Sequence, residues 1–218
     1  MAMRVLLLGP TGVDKKYVQE VMVSEGKKGT LPCNDLKVID FEHDYICQFA
    51  EDILRYLDGK EEDQVRLWNS AWGELVKDFS KSSDIMISMH AVLARPFFTN
   101  RSPVLIEPLK KIGFTHIITL IDDVYDMWYR TESRAENAAV PLRPTLIDLI
   151  ETRRAESIVG DIIANQLSSE KNRLINFFTG NKTPCKNYYF SFKRRKINKK
   201  KNLCFSCNKK TSRIGSHG

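Results

Sequence analysis

Residues 4–18 read RVLLLGPTGVDKKYV, and this stretch decides the fold expected of the chain. Residues 4–8 form a short apolar run, residues 9–12 a turn rich in Gly and Pro, and the residues after Lys15 have apolar positions at helical spacing. A strand, a glycine turn and a helix in this order are typical of a phosphate-binding loop, because the N–H groups of the turn and the positive end of the helix face the same point. The stretch therefore predicts a nucleotide-phosphate site after the first strand of a sheet.

The loop departs from the pattern G-x-x-x-x-G-K-[ST] at two positions. Counted from Gly9, it keeps the first glycine and the lysine (Lys15), but Asp14 replaces the second glycine and Lys16 replaces Ser or Thr. Asp14 adds a negative charge where phosphate would approach, and Lys16 has no hydroxyl to offer to Mg²⁺. The alternative is a strand and a tight turn that bind nothing.

Composition indicates one domain with a sizeable core in these 218 residues. No apolar run approaches the roughly 20 residues that a membrane span needs, so no membrane association is expected. Five scattered cysteines and an N-terminus unlike a secretion signal predict a cytoplasmic protein.

The net charge of +7 is unevenly distributed along the chain. Residues 181–218 hold 12 Lys and Arg and no Asp or Glu, which leaves 22 basic and 27 acidic side chains in residues 1–180. We therefore predict a domain over residues 1–192 and a basic, disordered tail over residues 193–218. The tail could bind nucleic acid non-specifically through phosphate neutralisation, and Cys204 and Cys207 form half of a zinc signature.

Apolar runs alternate with segments of helical spacing along the chain, which is typical of an α/β protein with a parallel sheet. We predict five strands, flanked by helices. The strands are expected at residues 4–8, 36–41, 84–89, 115–121 and 188–192, and the helices at residues 15–24, 43–57, 62–79, 104–112, 124–134 and 145–167.

Three further segments, together with the loop, resemble the P-loop nucleoside monophosphate kinases, and archaeal-type adenylate kinases most closely. They are residues 84–95 (DIMISMHAVLAR), 114–130 (FTHIITLIDDVYDMWYR) and 142–160 (LRPTLIDLIETRRAESIVG). The resemblance covers most of residues 1–167.

The resemblance implies phosphoryl transfer from ATP, with Mg²⁺, to a nucleoside monophosphate. It implies a nucleotide site at the first loop and arginines that neutralise charge in the transition state. The nucleotide-binding residues would be Gly9, Thr11, Gly12, Lys15, Lys16 and His90. The catalytic residues would be Lys15, Arg130, Arg143 and Arg154, and Arg153 is a further candidate for the phosphate clamp.

Both usual supports for Mg²⁺ are replaced in this chain. The family has a carboxylate before the histidine of the third strand, where this sequence has Ser88, and Lys16 replaces the loop hydroxyl. Asp122, Asp123 or Asp84 could take over the metal. The alternative function is a catalytically impaired relative that binds nucleotide or a partner as a sensor or regulatory module.

Overall fold

A parallel β-sheet lies at the centre of the computed structural model, which describes residues 2–33, 35–50, 53–79, 84–93, 104, 106–135, 144–167 and 173–179. Residues 173–179 and positions 54 and 135 are described by their backbone alone. The strands are β1 (Arg4–Leu8), β2 (Lys37–Asp40), β3 (Ile85–Met89), β4 (His116–Asp122) and β5 (Arg173–Thr179). They are arranged in the order β2-β3-β1-β4-β5, and all neighbours run parallel.

The predicted α/β class with a parallel sheet is confirmed, and β1 to β4 lie within a residue or two of their predicted positions. These four strands form the part of the sheet whose side chains are described. The prediction of five strands is not confirmed as it was made, because its fifth strand, at residues 188–192, lies outside the described residues. The backbone beside β4 belongs instead to residues 173–179.

Seven α-helices connect the strands in the described part of the chain. They are α1 (Lys15–Lys27), α2 (Cys47–Ala50), α3 (Ile53–Asp58), α4 (Glu61–Asp78), α5 (Ile106–Ile112), α6 (Val124–Ala135) and α7 (Leu146–Leu167). The helix predicted over residues 43–57 is helical wherever it is described: a π-helical turn, Glu42–Ile46, leads into α2, and α3 follows after residues 51 and 52, which lie outside the described residues. Among the helices described, none is both long and apolar enough to cross a bilayer.

The core lies on both faces of the sheet, because alternate side chains of β1 point to opposite sides. Leu6 and Leu8 join a cluster with Phe41 and the two tryptophans of α4, Trp68 and Trp72. The Phe41 ring lies 4.3 Å from that of Trp72 and 4.9 Å from that of Trp68, centroid to centroid. Both tryptophans are almost fully buried, as their spacing predicts.

The opposite face of β1 carries Val5 and Leu7, which pack with Val18 and Met22 of α1 and with Met127 of α6. Both faces of the central strand are therefore covered, as expected for a parallel sheet. Because all strands run in the same direction, their carboxyl ends meet at one edge, where open α/β sheets bind ligands.

Candidate nucleotide-binding site

The loop between β1 and α1 is held in place by close contacts of its two glycines. Gly12 has φ +91°, and a Cβ atom there would lie 2.9 Å from the Met127 carbonyl oxygen. A Cβ atom on Gly9 would lie 2.9 Å from the Val13 side chain and 3.3 Å from the Leu120 carbonyl oxygen. Both positions therefore require glycine, and the loop is packed against the end of β4 and against α6.

Lys15 turns its ammonium group back into this loop. Its Nζ donates a hydrogen bond of 2.7 Å to the Gly9 carbonyl oxygen. Burial lowers the pKa of Lys15, while the carboxylates of Glu42, Glu156 and Asp40 act in the opposite direction. The ammonium thus lies among carboxylates beside the loop backbone, at the point where the motif predicts a phosphate ligand.

Asp14 is the N-cap of α1. Its carboxylate is exposed and accepts a hydrogen bond of 3.2 Å from the Tyr17 N–H. The side chain therefore binds the first turn of its own helix, although it also takes one N–H that a phosphate would otherwise use. The side chain of Lys16 is exposed on the same turn.

A buried carboxylate, that of Glu156 on α7, connects the loop to the chain after β3. Its Oε1 accepts hydrogen bonds from the N–H groups of Gly9 (2.8 Å) and Ala91 (2.7 Å), and its Oε2 accepts one from Val92 (2.7 Å). The side chain has no exposed surface. Burial raises the pKa of Glu156, and the N–H donors, Lys15 and His90 oppose that effect. One helix thereby fixes two loops at the site.

His90 follows β3 and lies between Glu42 and the loop. The Glu42 carboxylate accepts a hydrogen bond of 2.6 Å from the His90 N–H, and Nδ1 of the ring lies 3.3 Å from the same oxygen. The ring's Nε2 is 3.5 Å from the Thr11 hydroxyl. Burial alone would raise the pKa of Glu42, but His90 and Lys15 outweigh it and the pKa is lowered. Thr11 and His90, both predicted to bind nucleotide, are thus neighbours.

Arg130 and Arg153 converge on Asp122, at the end of β4. Arg130 donates from Nε to the Gly12 carbonyl oxygen (2.7 Å) and forms an ion pair with the Asp122 carboxylate. Arg153 donates from Nη1 to the Asp122 carbonyl oxygen at 3.1 Å. Both guanidinium groups therefore lie at the edge that carries the loop.

The other two predicted arginines are not part of this arrangement. Arg154 is exposed, and its position lies about 160° around the helix axis from that of Glu156, which faces the loop. Arg153, not Arg154, is therefore on the loop side of α7. Arg143 lies outside the described residues.

The described residues do not fit a protein-bound magnesium ion. Ser88, at the position of the missing carboxylate, accepts a hydrogen bond of 2.6 Å from the Gln19 side chain. The carboxylate of Asp122 is paired with Arg130, and Asp84 accepts a hydrogen bond of 2.6 Å from the Met3 N–H at the amino end of β1. Within the described ranges, no group of three or more His, Cys, Asp or Glu side chains is placed to hold a metal ion. Ser88, Asp122 and Asp84 are thus each engaged with another group of the protein.

Comparison with known proteins finds distant structural neighbours alone. No protein-family model and no curated protein matches the chain. A shikimate kinase from Bacteroides thetaiotaomicron has 14% identity and a TM-score of 0.47, covering 80% of this chain and 86% of its own. The PezAT toxin–antitoxin system of Streptococcus pneumoniae has 14% identity and a TM-score of 0.48, covering 82% and 67%. An uncharacterised protein from Eubacterium ventriosum has 10% identity and a TM-score of 0.36, covering 83% and 90%.

These scores are too low for the neighbours to inform function. The strand order β2-β3-β1-β4-β5 and the glycine loop between β1 and α1 are observed in the chain itself, as a parallel α/β sheet with a strand–loop–helix unit at its central strand. The more specific resemblance to adenylate kinases is not supported by the comparisons.

Three side chains of the site were not predicted from the sequence: Glu42, Glu156 and Gln19. Glu156 binds a backbone group 147 positions away, and Gln19 binds Ser88 at a separation of 69. A glutamate within a helix is usually solvated, so the local sequence gives no sign of its burial. The one available sign is its place four residues before Gly160, on the side of α7 that packs on the sheet.

Proposed function

We propose that the chain binds a nucleotide through the loop 9–15, and that it transfers phosphoryl groups weakly or not at all. The position of Lys15 carries the proposal: its ammonium is held within 2.7 Å of the Gly9 carbonyl oxygen at the carboxyl edge of the sheet. A bound phosphate can accept hydrogen bonds from that ammonium in place of the Gly9 carbonyl oxygen, with the ammonium acting as a point charge. The Asp14 carboxylate is exposed and occupies the Tyr17 N–H, so the phosphate would bind the other N–H groups of the loop.

The absence of turnover is inferred from the residues that replace the metal supports. Phosphoryl transfer depends on charge neutralisation at the transferring group. Ser88 binds Gln19 instead of supporting a metal, and Lys16 points outward. A sensor or regulatory nucleotide-binding module is therefore the function that the geometry favours.

Phosphoryl transfer from ATP to a nucleoside monophosphate, of the adenylate kinase type, is the second candidate. It is favoured by Arg130, which binds the Gly12 carbonyl oxygen, and by Arg153, which binds the Asp122 carbonyl oxygen at the end of β4. Arginines in this place can neutralise charge on a transferring phosphoryl group without a protein-bound metal.

The test of binding is calorimetric titration of ATP into the wild-type protein and into Lys15→Ala. We expect Lys15→Ala to weaken the affinity by roughly tenfold or more, since it removes a charge-assisted contact of about 1.5–3 kcal/mol. Lys27→Ala removes the same charge from the other end of α1 and is expected to leave the affinity unchanged. Equal affinity of all three proteins would contradict the proposed site.

The test of turnover is the appearance of nucleoside diphosphate from ATP, Mg²⁺ and a panel of nucleoside monophosphates. We expect no turnover by the wild-type protein and a gain in the Ser88→Asp/Lys16→Thr double variant, which restores both supports. Turnover by the wild-type protein that disappears in Lys15→Ala would establish the kinase instead.

A further inference from the structure

Helix α6 carries three exposed aromatic side chains on one face. Tyr125, Trp128 and Tyr129 follow the spacing i, i+3, i+4, which places them side by side on a helix. Both tyrosines are 70% exposed and Trp128 is 39% exposed. The opposite side of α6 packs against the sheet through Val124 and Met127. We call the three side chains the aromatic face.

The charges around the aromatic face are mainly negative. Asp123 precedes the helix, Asp126 lies in its first turn, and Glu132 follows Tyr129 by three positions. Arg130 is turned inward to Asp122 and Gly12 and does not reach this face. Arg134 stands about 180° around the helix axis from Tyr125. Aromatic rings with nearby carboxylates attract Lys and Arg through cation–π contacts and ion pairs, and they repel phosphate chains.

The chain itself contains a segment of matching chemistry. Residues 193–201 read KRRKINKKK, with seven basic side chains, and residues 181–218 contain no acidic side chain at all. Residues 1–180 carry 27 acidic and 22 basic side chains. The charges of the two parts are therefore complementary.

The described chain ends beside α6. Thr179, the last residue of β5, pairs with Asp122, two positions before α6 begins. Neighbouring strands are about 4.8 Å apart, so the chain leaves the sheet next to the first turn of the helix. Thirteen residues separate Thr179 from Lys193, enough to span roughly 45 Å. The basic segment can reach the aromatic face without strain.

We propose that the aromatic face is the docking surface for the basic segment 193–201 of the same chain. The rings of Tyr125, Trp128 and Tyr129 receive Lys and Arg side chains, and Asp126 and Glu132 pair with their charges. This interaction does not depend on nucleotide binding at the loop.

The first test uses the fluorescence of the full-length chain. Trp68 and Trp72 are 1% and 0% exposed, so quenching by neutral acrylamide reports on Trp128. We expect the quenching constant at low salt to rise by about twofold when the residues of KRRK, 193–196, are changed to Gln. In salt of about 0.5 M the two proteins should quench alike, because screening releases the segment.

A control variant matches the change of charge. Changing Lys182, Lys186, Lys209 and Lys210 to Gln removes the same number of charges from residues 181–218 and leaves residues 193–201 intact. This variant is expected to quench like the wild-type protein. Equal quenching of the wild-type and KRRK-changed proteins overturns the proposal. Protection of Trp128 that increases with protein concentration also overturns it, since the segment would then dock on a second copy.

The second test changes the face and observes the segment. In Tyr125→Ala/Tyr129→Ala we expect trypsin to cleave within residues 193–201 at least about fourfold faster, because each exposed cation–π interaction lost changes an equilibrium by a factor of about two to five and this variant loses two. Phe49→Ala, which removes an exposed ring from another helix, should leave that rate unchanged. An unchanged rate in the double variant, with its far-UV circular dichroism intact, overturns the proposal.

Discussion

At the scale of single residues, the site is an arrangement of charges around one lysine. The carboxylates of Glu42, Glu156 and Asp40 act on Lys15, and Glu42 also binds His90. A ligand phosphate would therefore compete with these carboxylates for the positive charge of Lys15. Its affinity should therefore depend strongly on the protonation of the groups that face it.

The first prediction concerns the pH dependence of ATP affinity. Burial lowers the pKa of Lys15, so the ammonium loses its proton at a lower pH than an ordinary lysine. Affinity should fall as the pH rises through that lowered pKa. Lys15→Arg keeps its charge throughout this range and should show no such fall, whatever its overall affinity. Calorimetric titration across the alkaline range checks this; the same fall in Lys15→Arg would assign it to another group.

The second prediction concerns acid unfolding. The pKa of Glu42 is lowered in the folded protein, because His90 and Lys15 outweigh the effect of burial. Its contribution to stability is therefore present above the unfolded-state pKa and is lost as the pH falls through the folded-state pKa. Glu42→Gln should make the free energy of unfolding depend less steeply on pH in this acidic range. Urea titrations at several pH values measure the slope, with exposed Glu62→Gln as the control.

The loop residues were predicted from the sequence because the motif is local: Gly9, Gly12 and Lys15 lie within seven positions of one another. Glu42 and Glu156 were not, since the atoms that they bind are 48 and 147 positions away. Burial of a carboxylate among N–H donors is a property of the folded chain. The local sequence gives no sign of it.

At the scale of elements, α7 determines how the loops are placed. It contacts the loop and the chain after β3 through Glu156, and it lies close against β4 at Gly160. A Cβ atom on Gly160 would lie 2.5 Å from the Thr119 hydroxyl oxygen. The distance between this helix and the sheet is thus fixed by a glycine four positions from the carboxylate that holds the loops.

The third prediction is that Glu156→Gln destabilises the protein by roughly 3 kcal/mol. The amide would turn its NH₂ group toward backbone N–H donors and leave one of them buried without an acceptor. Thermal and urea unfolding measure the decrease in stability. Glu151→Gln, at an exposed position of the same helix, should change the stability little. Equal small effects of both changes would show that the buried carboxylate contributes nothing to stability.

The fourth prediction compares two glycine-to-alanine changes of opposite sign. Gly160→Ala should destabilise the protein by about 1–3 kcal/mol, because the new methyl group forces α7 away from β4. Gly73→Ala, inside α4, where the new methyl group meets nothing within 4 Å beyond its chain neighbours and the backbone of its own helix, should stabilise it by about 0.5–1 kcal/mol. Thermal unfolding of both variants shows whether the stability decreases in the first and increases in the second. If Gly73→Ala also destabilised the protein, the effect of Gly160→Ala could not be attributed to the spacing between α7 and β4.

Periodicity was sufficient to predict β1 to β4 and most helices, since each is a run of apolar residues with a clear period and turn residues beside it. It did not predict the π-helical form of Glu42–Ile46, whose first residue binds His90. The Glu42 carboxylate accepts the His90 N–H at 2.6 Å, and local spacing gives no sign of a contact between residues 48 positions apart.

At the scale of the whole molecule, charge separates a mildly acidic body from a strongly basic tail. The cytoplasmic location, the domain boundary at residue 192 and the nucleic-acid partner remain predictions. Non-specific binding of nucleic acid would compete with the aromatic face for the same basic side chains, since both require them free of other partners.

The fifth prediction tests that partner. The full chain should bind single-stranded nucleic acid with an affinity that falls steeply as salt increases, because each phosphate neutralised contributes about 0.7 to the slope of log affinity against log salt. Deletion of residues 193–218 removes ten basic side chains and should abolish the binding while ATP binding persists. Nucleic-acid binding that survives the deletion would place the interaction on the body.

The alternation of side chains along β1 has a consequence for how the molecule opens. Leu6 and Leu8 belong to one hydrophobic cluster and Val5 and Leu7 to the other, so the same five-residue strand forms one wall of each cluster. Neither hydrophobic cluster can unfold without exposing side chains of the other cluster. Amide hydrogens of β1 should therefore be the slowest in the chain to exchange with deuterium, with a protection close to that of global unfolding. The loop that begins at Gly9 is thus anchored to the part of the protein that opens last.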